Sequence, residues 1–317
     1  MLGMCVTAAG ISFLTCLAAG MLLIPVLRRM RVGQTVREEG PQTHIRKNGT
    51  PTMGGILILT SMAGTSLLFV RQYPKMIPVL FLTIGFGMVG FLDDYIKIVL
   101  RRSMGLSVVE KLICQLLITA LYAGYLKHYT DSAFLLRIPF TTQQTDFGIY
   151  QIPVLFFITI ATVNGTNFTD GLDGLAAGVT LIVATFFTVI AMGEHSGIEP
   201  VTCAVAGALL GFLVFNVHPA SVFMGDTGSL ALGGFVVSAS YALHLPLFIP
   251  IVGVVYFTEV LSVILQVGFY RLTHGRRLFK MAPLHHHFEL LGWSEAKITA
   301  VFTILTAMAC LIALTGL

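Results

Sequence analysis

Ten apolar runs, most of them close to 20 residues long, follow one another along the chain: 3–27, 52–70, 76–92, 107–126, 152–166, 174–192, 200–216, 228–244, 246–270 and 296–315. A run of this length crosses the roughly 30 Å hydrocarbon core of a bilayer as an α-helix. Within a bilayer only helices and closed barrels satisfy their own backbone polar groups. The sequence therefore predicts an all-α, polytopic membrane protein with ten transmembrane helices, organised as a single integral-membrane domain over 1–317. The fifth run is short and reads as tilted or broken. Composition agrees: 11% of residues are charged, against about 25% in a soluble domain, too few to cover a water-facing surface. The net charge of +4 is too small to mark a nucleic-acid binder. The five cysteines, Cys5, Cys16, Cys114, Cys203 and Cys310, lie in apolar runs without paired spacing. They read as buried thiols, neither a disulfide framework nor a zinc site.

The charges that are present fall unevenly. No basic residue precedes the first run, so it lacks the n-region of a cleaved signal peptide, whereas Arg28, Arg29 and Arg31 follow it. With the N-terminus outside and the chain alternating, Lys and Arg at 28, 29, 31, 37, 46, 47, 97, 101, 102, 111, 271, 276, 277, 280 and 297 fall inside, and only Arg71, Lys75, Lys127 and Arg137 fall outside. The positive-inside rule then selects N-out and C-out. Segment 128–151 is the one long external piece, where "FLLRIPF" and "FGIYQI" are expected to pair as a small hairpin. Asp131, Asp146, Glu194 and Glu199 are also external. The other acids fall inside or, for Glu259, within a span, so chemistry is expected on the inner face. No internal repeat of the kind many transporters carry stands out.

Several polar stretches need a reason to exist. In "GFLDDYIK", 90–97, Asp93 and Asp94 end the third span with Lys97 a turn later. Acids at a helix C-terminus oppose the helix dipole, so this pair is either a solvated helix end or one balanced by Lys97, Lys111 or a divalent cation. In "NGTNFTDGLDGLA", 164–176, Asn164, Asn167, Asp170 and Asp173 recur every third residue, roughly on one side of a helical turn. One such residue would cap the next span; four exceed that need. In "FNVHPASVFMGDTGSLALGG", 215–234, Asp226 lies between Gly225 and Gly228, just before the eighth span, as a cap or as a ligand. Glu259 and Gln266 interrupt the ninth run, and an intramembrane Glu is a functional candidate or the partner of a buried Lys or His. In "KMAPLHHHFELLGW", 280–293, His285, His286 and His287 are adjacent. A helix-borne zinc site places His at i and i+4, so three in a row point in divergent directions. They read as interfacial polarity or as donors to anionic oxygens, within a cationic loop that holds Arg271, His274, Arg276, Arg277 and Lys280.

Carboxylates ringed by Lys, Arg and His on one membrane face suit Mg²⁺ bridging phosphates. No P-loop or kinase motif is present. The expected reaction is phosphoryl transfer between a lipid phosphate and a soluble diphosphate at the bilayer surface.

These motifs, with "GTPTMGG" at 49–55 and "APLHHHFELLGW" at 282–293, resemble the bacterial phospho-MurNAc-pentapeptide translocase family (MraY), a branch of the polyprenyl-phosphate N-acetylhexosamine-1-phosphate transferases. The resemblance covers essentially the whole chain in order, and the histidine motif is what separates this branch from the GlcNAc-1-phosphate branch. It implies transfer of phospho-MurNAc-pentapeptide from UDP-MurNAc-pentapeptide to undecaprenyl phosphate, giving lipid I and UMP, with Mg²⁺ as cofactor, in the bacterial plasma membrane, and a homodimer. It implies that Asp226 is a Mg²⁺ ligand, that Asp93 is a base for the lipid phosphate and that Asp94 is essential beside it. On the uridine side it implies Asn167, Asp170, Asp173, Phe223 and Gln266, with Phe223 stacking on uracil. Lys47 (Arg46 is equally placed), Lys97, Lys111, Asn216, His285 and His286 are implied to contact phosphates, ribose or sugar. A sister enzyme using UDP-GlcNAc, and a lipid-phosphate or ion transporter, are the competing readings.

Overall fold

A computed structural model of the chain describes residues 1–29, 49–98, 100, 105–129, 135–141 and 143–317. The apolar runs form helices because in hydrocarbon each backbone N–H must find its carbonyl within its own segment. In chain order these are α1 (Leu2–Arg29), α2 (Gly55–Phe69), α3 (Ile77–Ile98), α4 (Val108–Tyr129), α5 (Gln151–Thr169), α6 (Leu175–Glu194), α7 (Glu199–Asn216), α8 (Gly225–Ala242), α9 (Ile249–Val252), α10 (Val254–Leu272), α11 (Leu284–Glu289) and α12 (Glu295–Leu314). Eight of them are long and apolar enough to cross a membrane, namely α1, α3 to α7, α10 and α12; α2 is a shorter apolar helix. The all-α, polytopic membrane architecture follows.

α8 carries Thr227, Ser229, Ser238 and Ser240 and is the most enclosed helix, with nearly every residue buried. Other helices surround it, so its small and polar side chains meet protein, not lipid. It also crosses α3 at backbone contact. A Cβ on Gly90 of α3 would collide with the carbonyl oxygen of Asp226, and one on Gly234 of α8 would come within 2.8 Å of the Leu82 carbonyl. Small residues of this kind let membrane helices approach closely. Here they bring the C-terminal end of α3 onto the N-terminal end of α8.

Two details of the sequence reading change. The fifth run is an unbroken helix, α5, and the break falls in the ninth, where Gly253 separates α9 from α10. The hairpin exists, but with a different second strand. β1 (Leu135–Arg137) pairs antiparallel with β2 (Gln144–Asp146), Leu136 opposite Thr145. "FGIYQI" instead forms a 3-10 turn, Gly148–Tyr150, leading into α5. Its Gly148 adopts φ +51°, outside the extended region a strand requires.

The hairpin marks one end of the bundle. Arg137 N–H donates to the carbonyl of His244, just past α8, Phe140 N–H donates to that of Gly316, just past α12, and the Arg137 guanidinium pairs with Glu194 at the end of α6. The opposite end, where α6, α8 and α12 begin and α3, α5 and α10 finish, gathers the acidic motifs.

Candidate active site

Buried helix starts explain much of this end. The first N–H groups of any helix have no intrahelical acceptor. α8 has no side-chain cap of its own, since Met224 stands at its N-cap position. Asp94 of α3 supplies one: its Oδ2 accepts the Thr227 N–H at 2.9 Å and the Thr227 hydroxyl at 2.6 Å, and its Oδ1 accepts the Asp226 N–H at 3.2 Å. Gly225, at φ +73°, makes the turn into α8; a Cβ there would stand 2.7 Å from Asp94 Oδ2. The neighbouring Asp93 faces elsewhere. Its Oδ1 accepts the Leu106 N–H at 2.8 Å. Its Oδ2 is buried without an aligned hydrogen bond, beside the ammonium groups of Lys97 and Lys111.

Asp226 is where these elements meet. Its Oδ2 lies 2.7 Å from Lys111 Nζ and 3.0 Å from Lys97 Nζ, and its Oδ1 accepts the Asn167 amide at 2.8 Å. The same amide nitrogen reaches Ser229 Oγ at 2.9 Å. Asp93, Asp94 and Asp226 each present an oxygen within 4.8 Å of the others. Three carboxylates with no sulfur or imidazole among them make an all-oxygen donor set suited to a hard divalent cation, and the buried Asp93 Oδ2 faces that space. The residues fit such an ion, and Lys97 and Lys111 together offset part of the acidic charge.

The four expected residues, two inside α5 and two past its end at Thr169, take separate tasks. Asn164 pairs with Gln115 of α4 through reciprocal amide contacts of 3.0 and 3.4 Å, away from Asp226. Asn167 holds Asp226. Asp170 follows the end of α5 beside the Gly225 backbone; desolvation holds its carboxyl well above the usual carboxylate range, and the negative charges of Asp226 and Asp94 push it the same way. Asp173 Oδ2 lies 2.9 Å from His218 Nδ1 and accepts the Ala220 N–H at 3.1 Å. With Glu295 these residues form a second cluster of ligand-type side chains.

The loop 217–224 is anchored at both sides. Asn216 is buried; its Oδ1 accepts the Gly174 N–H at 3.1 Å and its amide donates to the Val222 carbonyl at 2.9 Å. Phe223 exchanges backbone bonds with the "GTPTMGG" segment, donating to Pro51 and accepting from Gly54, both at 2.8 Å. Nothing in the spacing of the motifs marks 49–55 and 222–224 as neighbours. Lys47 and Arg46 lie outside the described residues.

The histidine segment forms α11, and its three rings take three different partners. His285 Nδ1 lies 3.2 Å from Glu259 Oε2, His286 Nδ1 lies 2.6 Å from Glu289 Oε2, and His287 Nδ1 accepts the Lys280 N–H at 3.1 Å. Glu259 also accepts the N–H groups of Leu284 and His285, at 2.7 and 3.2 Å. Gln266 ties α10 to the same loop, accepting from Leu278 and Phe279 N–H and donating to the Phe279 carbonyl. With Tyr270, Arg271 and Arg277 it lines a cleft of about 350 Å³. α11 reaches the aspartates through Gly171, where a Cβ would collide with His285 Nε2. Two participants escaped the sequence reading, Thr227 and the backbone N–H of Leu106. The one hint of the first was a hydroxyl residue directly after Asp226.

Comparison with known proteins bears on what such a centre does. Residues 76–244 match the profile of glycosyl transferase family 4, and residues 47–59 match phospho-N-acetylmuramoyl-pentapeptide-transferase signature 1. A phospho-N-acetylmuramoyl-pentapeptide-transferase of Clostridioides difficile (strain 630) is 49% identical over 300 residues, 94% of this chain and 93% of the relative. Proteins of the same description from Acetivibrio thermocellus and Thermoanaerobacter sp. (strain X514) are 45% and 44% identical, over 95% and 98% of this chain and 92% and 97% of theirs.

Proposed function

The chain belongs to the phospho-N-acetylmuramoyl-pentapeptide-transferases, within glycosyl transferase family 4, and from that premise we propose how its three-carboxylate centre performs the transfer. The enzyme moves phospho-MurNAc-pentapeptide from UDP-MurNAc-pentapeptide to undecaprenyl phosphate, giving lipid I and UMP in peptidoglycan synthesis. It acts in the bacterial membrane. Our reading places ten helices across that membrane with both termini outside and the centre on the cytoplasmic face. The excess of Lys and Arg at the end of the bundle that holds the centre supports this.

The observation that carries the mechanism is the convergence on Asp226 of Asp93, Asp94, Lys97, Lys111 and Asn167. Asp226 would hold Mg²⁺, with Asp93 Oδ2 facing the same space. The ion, when bound, neutralises phosphate charge and helps align the reacting groups. Asp94, with both oxygens engaged by the start of α8, fixes where Asp226 stands. Asp93 would then act as base for the lipid phosphate. Near neutral pH that phosphate is already anionic, so the base has modest work to do. Lys97 and Lys111 would draw two like-charged phosphates together, which is the harder task. Asn167, Asp170, Asp173, Phe223 and Gln266 would form the uridine side. Asn216, His285 and His286 would line the phosphates, ribose and sugar, with Lys47.

In the direct route an oxygen of the lipid phosphate attacks the β-phosphorus of UDP-MurNAc-pentapeptide, and the bond from that phosphorus to the bridging oxygen breaks. UMP leaves with the bridging oxygen. UMP release measured with and without undecaprenyl phosphate and Mg²⁺ tests the assignment; release should require both. A phospho-sugar adduct on Asp93 or Asp94, found by mass spectrometry after incubation without lipid, would overturn direct attack in favour of a two-step route.

A further inference from the structure

Glu259 is a buried acid that the transfer leaves unused. It is fully buried within α10, where an uncompensated carboxylate is costly. Its contacts come from one place, the start of α11. The N–H groups of Leu284 and His285 donate to it, and His285 Nδ1 stands 3.2 Å from its Oε2. Pro283, at the N-cap, has no side-chain acceptor, so the first two contacts satisfy orphan amides. The third has a different consequence. A carboxylate beside Nδ1 favours the hydrogen on that nitrogen and fixes the rotation of the ring. Nε2 lies at the opposite edge of the imidazole, against Gly171; it is buried without a hydrogen-bond partner, and Nδ1, 3.2 Å from Glu259 Oε2, meets that carboxylate as an ion-pair contact outside hydrogen-bond alignment. The turn that Nε2 faces adjoins the aspartate centre, because Asn167, near the end of α5, donates to Asp226 at 2.8 Å. A buried ring nitrogen left unpaired costs free energy unless a ligand completes it.

We propose that Glu259 is a positioning residue for the transfer: it anchors His285 through Nδ1 and so presents Nε2 to the diphosphate of the nucleotide-sugar. The inference rests on the reading of the site given under Proposed function. A residue that acted only as an amide cap would serve the backbone of α11 and be indifferent to the side chain at 285.

A double-mutant cycle separates the two roles. UMP release is measured for wild type, Glu259→Gln, His285→Asn and the double variant, each purified in detergent. Glu259→Gln should raise KM for UDP-MurNAc-pentapeptide about tenfold, as expected if one substrate contact of His285 is misplaced, with a much smaller change in kcat. In the His285→Asn background the same substitution should have no further effect. An equal penalty in both backgrounds, or an unchanged KM with kcat lost, would overturn the proposal in favour of capping alone. Should Glu259→Gln fail to fold, Glu259→Asp, which keeps the charge but draws it back by one methylene, goes through the same cycle with the same two outcomes. A wild-type enzyme that released no UMP would overturn the assigned reaction instead, and UDP binding by calorimetry across the four proteins would then decide the role of Glu259 on its own.

Discussion

Asp94 Oδ2 accepts both the backbone N–H and the hydroxyl of Thr227, at 2.9 and 2.6 Å, across 133 residues of sequence. One carboxylate thus closes the N-terminus of α8 and sets the height of Asp226 one residue earlier. Glu259 makes the same kind of contact at the start of α11. At both helices a carboxylate from a long apolar helix replaces the local cap.

Thr227→Val removes the hydroxyl and keeps the shape. It should cost about 1 kcal/mol of stability and raise the Mg²⁺ concentration for half-maximal UMP release several-fold, with turnover at saturating Mg²⁺ largely kept. A Mg²⁺ titration checks this; an unchanged titration would mean that the cap does not place Asp226.

Asp226→Asn keeps the size of the side chain and removes the charge that Lys97, Lys111 and the cation are argued to share. UMP release should be abolished while thermal unfolding in detergent moves by only a few degrees. Release at the wild-type rate would show the metal assignment to be wrong.

Lys111→Met takes away the cation 2.7 Å from Asp226 Oδ2 while retaining most of the side-chain length. Loss of a hydrogen bond to a charged group predicts a fall in kcat/KM of about 10- to 100-fold. Steady-state kinetics at fixed ionic strength measure it. No change would remove Lys111 from the phosphate contacts.

His286→Ala should raise KM or lower turnover and leave the Mg²⁺ requirement as it is, because the three rings of α11 take separate partners. The measurement is the Mg²⁺ dependence of UMP release in wild type and variant. A lost or altered dependence would place a metal on the histidines.

Gly90→Ala inserts a methyl group into the carbonyl oxygen of Asp226. Overpacking of this kind costs about 1–3 kcal/mol. The helices must part just where Asp93, Asp94 and Asp226 converge, so activity should fall further than stability does. Comparing UMP release with the melting temperature tests this, and a fully active Gly90→Ala protein would show that the crossing tolerates separation.

The sequence by itself determined the solvent, the helices and the chemistry. Runs of apolar residues near bilayer length permit little else, and the Asp, Lys and His motifs survive in so apolar a chain only where something offsets their cost. It could not tell Asp93 from Asp94. The two are adjacent letters in one motif, yet successive helical residues point about 100° apart, and their partners, Leu106 on one side and Thr227 on the other, come from other parts of the chain. For the same reason the regular spacing of Asn164, Asn167, Asp170 and Asp173 suggested one face, whereas Asn164 and Asn167, inside α5, meet Gln115 and Asp226, and Asp173, past the end of α5 at Thr169, meets His218. Glu259 reads in the sequence as a functional acid or as the partner of a buried Lys or His, and the start of α11 against α10 supplies that histidine, His285. Only the tertiary structure decided these matters. Hydrophobic length and composition are summed along a chain, whereas the partner of a buried polar atom is fixed by which backbones can approach closely enough to bring two distant segments within hydrogen-bond reach.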